Sequence, residues 1–244
     1  MLTSDDYNLS GLAPIDNPHV DKQQKYLDGY RIKNVVNMTI EGNAEIAIDD
    51  KDADVLSFMD CKNITLDGLT MGHTISYDQY QCEGSVVRFM ACDNIRVNNC
   101  NLYGCGAVGI YADAVKYLNV SGGKIYDCTY TGIWLINQSD ATVTKTEFCD
   151  SVHASGFIKL DNSTINCTDC NTHNIVCRDW AEGFIDTMDW YDEPSKITFT
   201  HCVFSDNTFE RITNEETKFL TFNNCTFSNN VGDMQHPKVI YNNN

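Results

Sequence analysis

The chain lacks any long, uninterrupted apolar run. Of its 244 residues 42% are hydrophobic, yet no stretch approaches the roughly 18 to 20 consecutive apolar residues that a membrane-spanning helix needs. Its first ten residues, MLTSDDYNLS, contain neither the basic region nor the apolar run of a signal peptide. We therefore expect no membrane insertion, and the N-terminus leaves the location of the protein open.

Basic residues are also scarce. Lys and Arg together number 17 against 34 Asp and Glu, which gives a formal net charge of −17. A field of that sign repels phosphate backbones and anionic lipid surfaces. The sequence therefore disfavours nucleic acid as a partner.

The 12 cysteines show almost none of the sequence spacings that are typical of metal ligands. One C-x-x-C occurs, at Cys167 and Cys170, without the second pair or the spaced histidines of a zinc site. Cysteine is also too sparse for a small disulfide scaffold. We expect no metal site and no cofactor, and an internal repeat explains the cysteine positions better.

Internal repeats are the strongest pattern in the chain. Six ungapped copies are NITLDGLTMG (63–72), NIRVNNCNLYG (94–104), YLNVSGGKIYD (117–127), DATVTKTEFCD (140–150), KITFTHCVFSD (196–206) and FLTFNNCTFSN (219–229). The second residue of each copy, such as Ile64 or Ile95, marks its position, and the shortest interval between markers is 23 residues. A fixed period of this length is typical of a solenoid.

Within each copy, apolar residues alternate with polar ones, which indicates strands with one buried face. Three such segments recur per copy, with Asn, Gly and Asp at the corners, where left-handed backbone is needed. This pattern predicts an all-β parallel β-helix of about eight coils, each of three short strands. We assign residues 30–230 to it, residues 1–29 to an N-terminal lead-in that forms at most an incomplete first coil, and residues 231–244 to a C-terminal tail.

The strings CKNITL (61–66), CDNIRV (92–97) and NLYGCG (101–106), with the copies above, make the chain resemble the right-handed parallel β-helix repeat proteins of the pectin-lyase-like superfamily. The resemblance spans roughly 200 residues and implies a single-stranded right-handed parallel β-helix. It also implies an extracellular or cell-surface location. The superfamily includes polysaccharide lyases, glycoside hydrolases, epimerases, adhesins and phage tailspikes, so it does not fix the function. Of the polygalacturonase-like catalytic blocks only RIK (31–33) is present, and no catalytic residue is carried over.

One outward-facing column has unusual chemistry. The repeats predict that it contains Arg31, Ser57, Arg88, Tyr111, Trp134, Lys159, Asp186 and Thr213. Tyr111 and Trp134 fall on successive coils, between Arg88 and Lys159. Exposed rings at this spacing suit stacking on sugar rings, and the flanking cations suit carboxylates, so we expect these four residues to bind an acidic polysaccharide. The alternative is that the two rings only brace neighbouring coils.

Two insertions, 73–84 and 175–195, interrupt the repeat and carry many carboxylates. Loops on a rigid scaffold often carry function, so Asp186 and Asp189 in the second insertion, with His153 in a nearby turn, are the candidate catalytic residues. The alternative is that acidic loops serve solubility alone.

The densest acidic run consists of Asp49, Asp50, Asp52 and Asp54. It begins like a calcium loop, but Val55 occupies the position of the required glycine and Cys61 that of the final glutamate, which excludes an EF-hand. An acidic corner is the preferred interpretation, and a loose surface calcium site is the alternative.

Four cysteines, Cys100, Cys170, Cys202 and Cys225, fall in one inward column. Stacked side chains in parallel orientation disfavour the dihedral angle of a disulfide, and buried cysteine packs well as a small apolar residue. We expect free thiols, which suit a reducing or anaerobic setting.

Two function classes remain open. The first is a carbohydrate-binding or carbohydrate-active β-helix that acts on an acidic polysaccharide, by lyase or hydrolase chemistry if it is an enzyme. The second is a non-enzymatic structural or adhesive solenoid that forms a segment of a larger surface protein. Open coils need caps, but the segment before Tyr30 contains no convincing amphipathic helix and the C-terminal tail is short, so we also expect the natural chain to extend beyond residue 1.

Overall fold

The computed structural model describes residues 7–8, 20–22, 30–74, 83–104, 107–153, 155–178, 181, 183–188 and 193–242. Within these ranges every regular element is a strand. The described residues accordingly include no helix that could cross a membrane.

The strands, in chain order, are β1 (Tyr7–Asn8), β2 (Val20–Lys22), β3 (Tyr30–Lys33), β4 (Val36–Glu41), β5 (Glu45–Ile48), β6 (Leu56–Met59), β7 (Lys62–Asp67), β8 (Thr70–His73), β9 (Ser85–Met90), β10 (Asp93–Asn98), β11 (Asn101–Tyr103), β12 (Val108–Asp113), β13 (Lys116–Ser121), β14 (Lys124–Tyr126), β15 (Thr131–Ile136), β16 (Asp140–Thr144), β17 (Glu147–His153), β18 (Ile158–Leu160), β19 (Thr164–Thr168), β20 (Asn171–Cys177), β21 (Ile185–Thr187), β22 (Lys196–Thr200), β23 (Val203–Ser205), β24 (Thr208–Arg211), β25 (Phe219–Asn223), β26 (Thr226–Ser228), β27 (Val231–Asp233) and β28 (Val239–Asn242).

Three long sheets contain these strands. Sheet I has the order β2-β3-β6-β9-β12-β15-β18-β21, and sheet II the order β28-β25-β22-β19-β16-β13-β10-β7-β4. Sheet III has the order β1-β5-β8-β11-β14-β17-β20-β23-β26, with β24 and β27 branching from β20. Neighbours pair in parallel, except that β2 runs antiparallel to β3. The predicted all-β parallel β-helix of about eight coils is confirmed.

The strands of sheet II pair so that the marker residues of successive repeats lie opposite one another. Ile95 of β10 is the Cα partner of Ile64 on one side and of Leu118 on the other. All three side chains are buried, with at most 1% of their surface exposed. Inward aromatic rings stack in the same way, and Phe199 and Phe222 lie 5.2 Å apart at an interplanar angle of 12°. The alternating pattern therefore builds one continuous core along the coil axis.

The corner where sheet II begins contains a ladder of asparagines in left-handed backbone. Asn37, Asn63 and Asn94 have φ angles of 62°, 56° and 56°. The Asn63 Nδ2 donates to Asn37 Oδ1 at 2.7 Å, and Asn94 Nδ2 donates to Asn63 Oδ1 at 2.7 Å. Tyr117 occupies the next position with a φ angle of 56° and no amide to extend the ladder.

Segment 231–244, which the sequence pattern sets apart as a tail, contributes two strands. β28 pairs in parallel with β25, and Leu220 lies opposite Val239. The ring of Tyr241 stacks on Phe222 at 5.2 Å. The solenoid pattern therefore continues past residue 230.

The substitution Tyr117→Asn should stabilise the fold by about 1 kcal/mol. Asparagine tolerates left-handed backbone better than tyrosine does, and its amide can donate to Asn94. Tyr117 is 66% exposed, so little packing is lost. Urea unfolding measures the change, and Tyr117→Ala is the control, because alanine removes the ring without adding the amide. Equal stability of the two variants would contradict the ladder's role.

Candidate functional site

The outward column of sheet I forms because the strands of successive coils pair in register. Arg88 pairs with Tyr111, Tyr111 with Trp134, Trp134 with Lys159 and Lys159 with Asp186 on successive strands. We call these five residues the sheet I column. The four residues expected to bind a polysaccharide are thus neighbours in the folded chain.

The expected last member, Thr213, does not lie in the column. It pairs with Ile185 rather than with Asp186, is fully buried, and donates its hydroxyl hydrogen to the Ile185 carbonyl at 2.8 Å. Asn214 instead contacts Asp186, and its Nδ2 donates to Asp186 Oδ1 at 2.6 Å. The prediction of Thr213 was wrong by one residue, because this coil closes with a bridge and not with a full strand.

The two aromatic rings contact each other edge to face. The centroids of Tyr111 and Trp134 lie 5.4 Å apart at an interplanar angle of 82°. Tyr130 adds a third ring, 5.5 Å from Trp134. Trp134 is half-buried, and its indole N–H has no hydrogen-bond acceptor among the residues that the structure describes. Instead of the exposed faces expected from the sequence, the rings form a partly covered cluster.

Arg88 closes one end of this cluster. Its guanidinium carbon lies 4.5 Å from the centroid of the Tyr111 ring, a cation–π contact. The Nε of Arg88 lies 3.0 Å and 2.9 Å from the two carboxylate oxygens of Asp54. The Asp54 side chain is 2% exposed, and the Arg88 side chain is 26% exposed. The guanidinium therefore neutralises a buried carboxylate while part of it faces solvent.

Lys159 closes the other end and is buried, with 6% of its surface exposed. Its Nζ lies 5.2 Å from the centroids of Trp134 and Tyr130, and donates to the Tyr130 hydroxyl at 3.0 Å. It also lies 3.7 Å from Asp186 Oδ2. The repeat pattern predicts an exposed cation at Lys159, because periodicity gives the direction of the side chain but does not reveal these internal partners.

Of the candidate catalytic residues, only the Asp186 side chain lies among the described residues. It is 4% exposed and accepts hydrogen bonds from Ser155 Oγ at 2.9 Å and from Asn214. Asp189 lies outside the described residues. The backbone of His153 pairs with Cys177 in sheet III, and its side chain is not described. The three candidates are therefore not seen to form one site.

The acidic run at 49–54 does not form a compact carboxylate cluster. Asp54 is committed to Arg88, and Asp50 Oδ1 accepts the backbone N–H of Asp52 at 2.9 Å. Among the described residues, only Glu147, Cys149 and His173 form a group of three donors close enough to share a metal ion. Local spacing gives no sign of this group, because one member comes from the next coil.

Ten described cysteines are free thiols, and nine of them are buried. Burial raises the pKa of Cys92 and Cys100 to about 11. A thiol that remains protonated at neutral pH is a poor nucleophile. Inward members such as Cys170 and Cys202 serve as small apolar groups in the core, and Cys225 in the same column is half-buried.

A family model described as right handed beta helix region matches residues 26–185. The chain belongs to this right-handed β-helix family. No curated protein is similar enough to count as a match.

Two solved structures are similar to this chain. The crystal structure of an alginate lyase from Paenibacillus sp. str. FPU-7 is 12% identical, with a TM-score of 0.32, and the match covers 82% of this chain and 93% of that one. The crystal structure of PfbA, a surface adhesin of Streptococcus pneumoniae, is 9% identical, with a TM-score of 0.26, and covers 87% and 70%.

Substitutions of Lys159 and Asp186 should have strongly non-additive effects on the free energy of unfolding. Asp186→Asn leaves a buried ammonium without its counter-ion, so we expect a loss of about 3 kcal/mol. The double variant with Lys159→Met should lose less than the sum of the two single variants, which urea unfolding measures.

The matched control for this comparison of single and double variants is Lys62→Met. Lys62 also forms an ion pair, with Asp93 at 2.7 Å, but on an open surface. This substitution should leave stability unchanged. Additive losses for Lys159 and Asp186 would show that the two groups do not interact.

Proposed function

We propose that the sheet I column binds a polysaccharide, with Tyr111 and Trp134 as the contact for sugar rings. The observation that carries the proposal is the placement of these rings on consecutive coils, between two cations. Aromatic side chains pair an apolar face with a fixed orientation, which suits the C–H face of a sugar. Successive coils repeat at about 4.8 Å, so the rings form one continuous patch.

A preference for acidic sugars depends on Arg88 in this proposal. Its Nε contacts Asp54, and its Nη2 reaches Ser85 Oγ at 3.4 Å. A guanidinium carries five N–H donors, so further donors remain for a ligand carboxylate. Lys159 is buried and acts by holding Trp134 and Asp186 in place, which differs from the direct contact expected from the sequence.

The proposal covers binding and no catalytic step. Asp186 is 4% exposed, behind hydrogen bonds from Ser155 and Asn214. A general acid or base must reach the proton that it transfers. In this arrangement Asp186 orients Lys159 instead.

A structural or adhesive solenoid is the second candidate. The observation that favours it is the internal pairing of both cations, Arg88 with Asp54 and Lys159 with Asp186. These contacts connect neighbouring coils and would brace the surface without any ligand.

Isothermal titration with polygalacturonate and with a neutral glucan tests the proposal. The wild type should bind polygalacturonate, and Trp134→Ala should weaken binding by about tenfold or more, since about 1.4 kcal/mol of lost contact suffices. Its stability should fall by about 1 to 2 kcal/mol, because the ring is half-buried. Trp134→Phe should retain binding, as it keeps an aromatic face.

The control is Tyr126→Ala, which removes a ring stacked on Tyr103 at 5.7 Å in sheet III. It should leave binding intact. Arg88→Lys preserves the charge beside Asp54 and should selectively weaken the binding of the acidic polymer. Absence of binding to both polymers, or equal losses for Trp134→Ala and Tyr126→Ala, would reject the proposal in favour of the structural solenoid.

A further inference from the structure

Three metal-binding side chains meet on the outer face of sheet III, away from the sheet I column. Glu147 and Cys149 lie two residues apart on β17, so both point to the same side of the strand. His173 of β20 is the Cα partner of Cys149 on the next coil. One donor atom from each residue lies within 4.8 Å of the other two.

The carboxylate of Glu147 is already oriented by two different partners. Its Oε2 lies 2.8 Å from Lys124 Nζ, and its Oε1 lies 2.8 Å from His173 Nε2. An ion bound to Oε1 and to the imidazole would replace the second contact and leave the first. Lys124 would then act as an outer partner that holds the ligating carboxylate in position.

The three donor residues differ in how far they are buried. Cys149 is 2% exposed, whereas the Glu147 and His173 side chains are 28% and 22% exposed. The thiol therefore forms the floor, and the other two donors form the rim toward solvent. Six paired positions between β17 and β20 fix the spacing of the donors, so little ordering would be needed on binding.

The donor set selects the type of ion. A thiolate and an imidazole favour zinc-like transition metals over calcium or magnesium, which prefer oxygen ligands. Three protein ligands leave the fourth tetrahedral position to water or another small ligand. On binding, the Cys149 thiol proton passes to solvent, and the two anionic ligands balance a divalent charge.

We propose that Glu147, Cys149 and His173 bind one Zn²⁺-like divalent transition-metal ion in an open, three-ligand site on sheet III. This site is independent of polysaccharide binding. It differs from the absence of metal expected from the sequence, because the C-x-x-C and histidine spacings that guide such expectations are local, whereas these ligands are brought together by one turn of the solenoid.

The test uses the full chain, stripped of metal with a chelator and kept reduced. Zinc titration against a chromophoric chelator should give one tight site per chain. Titration with Co²⁺ should give a sulfur-to-cobalt charge-transfer band and intense visible absorption of a tetrahedral ion. Zinc should also raise the thermal midpoint, because it binds the folded chain.

Cys149→Ser should abolish the charge-transfer band, and His173→Ala should weaken zinc binding by at least about 100-fold, since even outer partners contribute roughly 10- to 100-fold. Glu147→Gln is a third variant that keeps the shape of the side chain and should also weaken binding. The controls are Cys225→Ser, which removes a half-buried thiol elsewhere, and His201→Ala, which removes an exposed histidine beside Asp169. Neither control should change the affinity.

Several outcomes would overturn the proposal. These are the absence of a thiolate-to-cobalt band in the wild type, zinc affinity that Cys149→Ser and Glu147→Gln leave unchanged, or equal losses in the two controls. Weak binding of several ions per chain would indicate the acidic surface alone and would likewise count against the site.

Discussion

Parallel hydrogen bonding between successive coils is the constraint on which the rest of the structure depends. It places each residue directly above its counterpart in the previous coil, so that Ile95 lies between Ile64 and Leu118. A shift by one residue would turn every inward side chain outward. The core, the asparagine ladder and both outer-face clusters therefore depend on the same register.

The same constraint arranges side chains from successive coils in columns, where they contact one another. Like residues stack into ladders, as with Asn37, Asn63 and Asn94. Unlike residues form chains of contacts, as from Arg88 through Tyr111 to Trp134. A substitution at one position thus alters the neighbours above and below it, and stability in such a solenoid is largely a sum of contacts between adjacent coils.

Much of this fold can be predicted from the sequence. Its apolar residues show both the alternation of a strand, with a period of two, and the longer repeat from one coil to the next. The order from Arg88 to Asp186 follows from that repeat. The burial of Lys159 does not, since it depends on Tyr130 and Asp186, which lie outside its own strand. Thr213 was misplaced because its coil lacks a full strand in sheet I.

The donor cluster on sheet III was missed for a related reason. Glu147 and Cys149 are close in sequence, but His173 reaches them only through pairing with the next coil. Patterns of ligands in this fold should therefore be sought at intervals of one coil as well as at short spacings. Both outer faces then become candidates for function, while the inward cysteines remain part of the core.

The most direct measurement is a crystal structure of the chain with a bound uronic-acid oligosaccharide. We expect Trp134 opposite Tyr111 on adjacent strands of sheet I, a sugar ring against this pair, and a ligand carboxylate within hydrogen-bond distance of the Arg88 guanidinium. A different coil register, or an oligosaccharide bound on sheet II or sheet III with the sheet I column uncovered, would contradict this expectation.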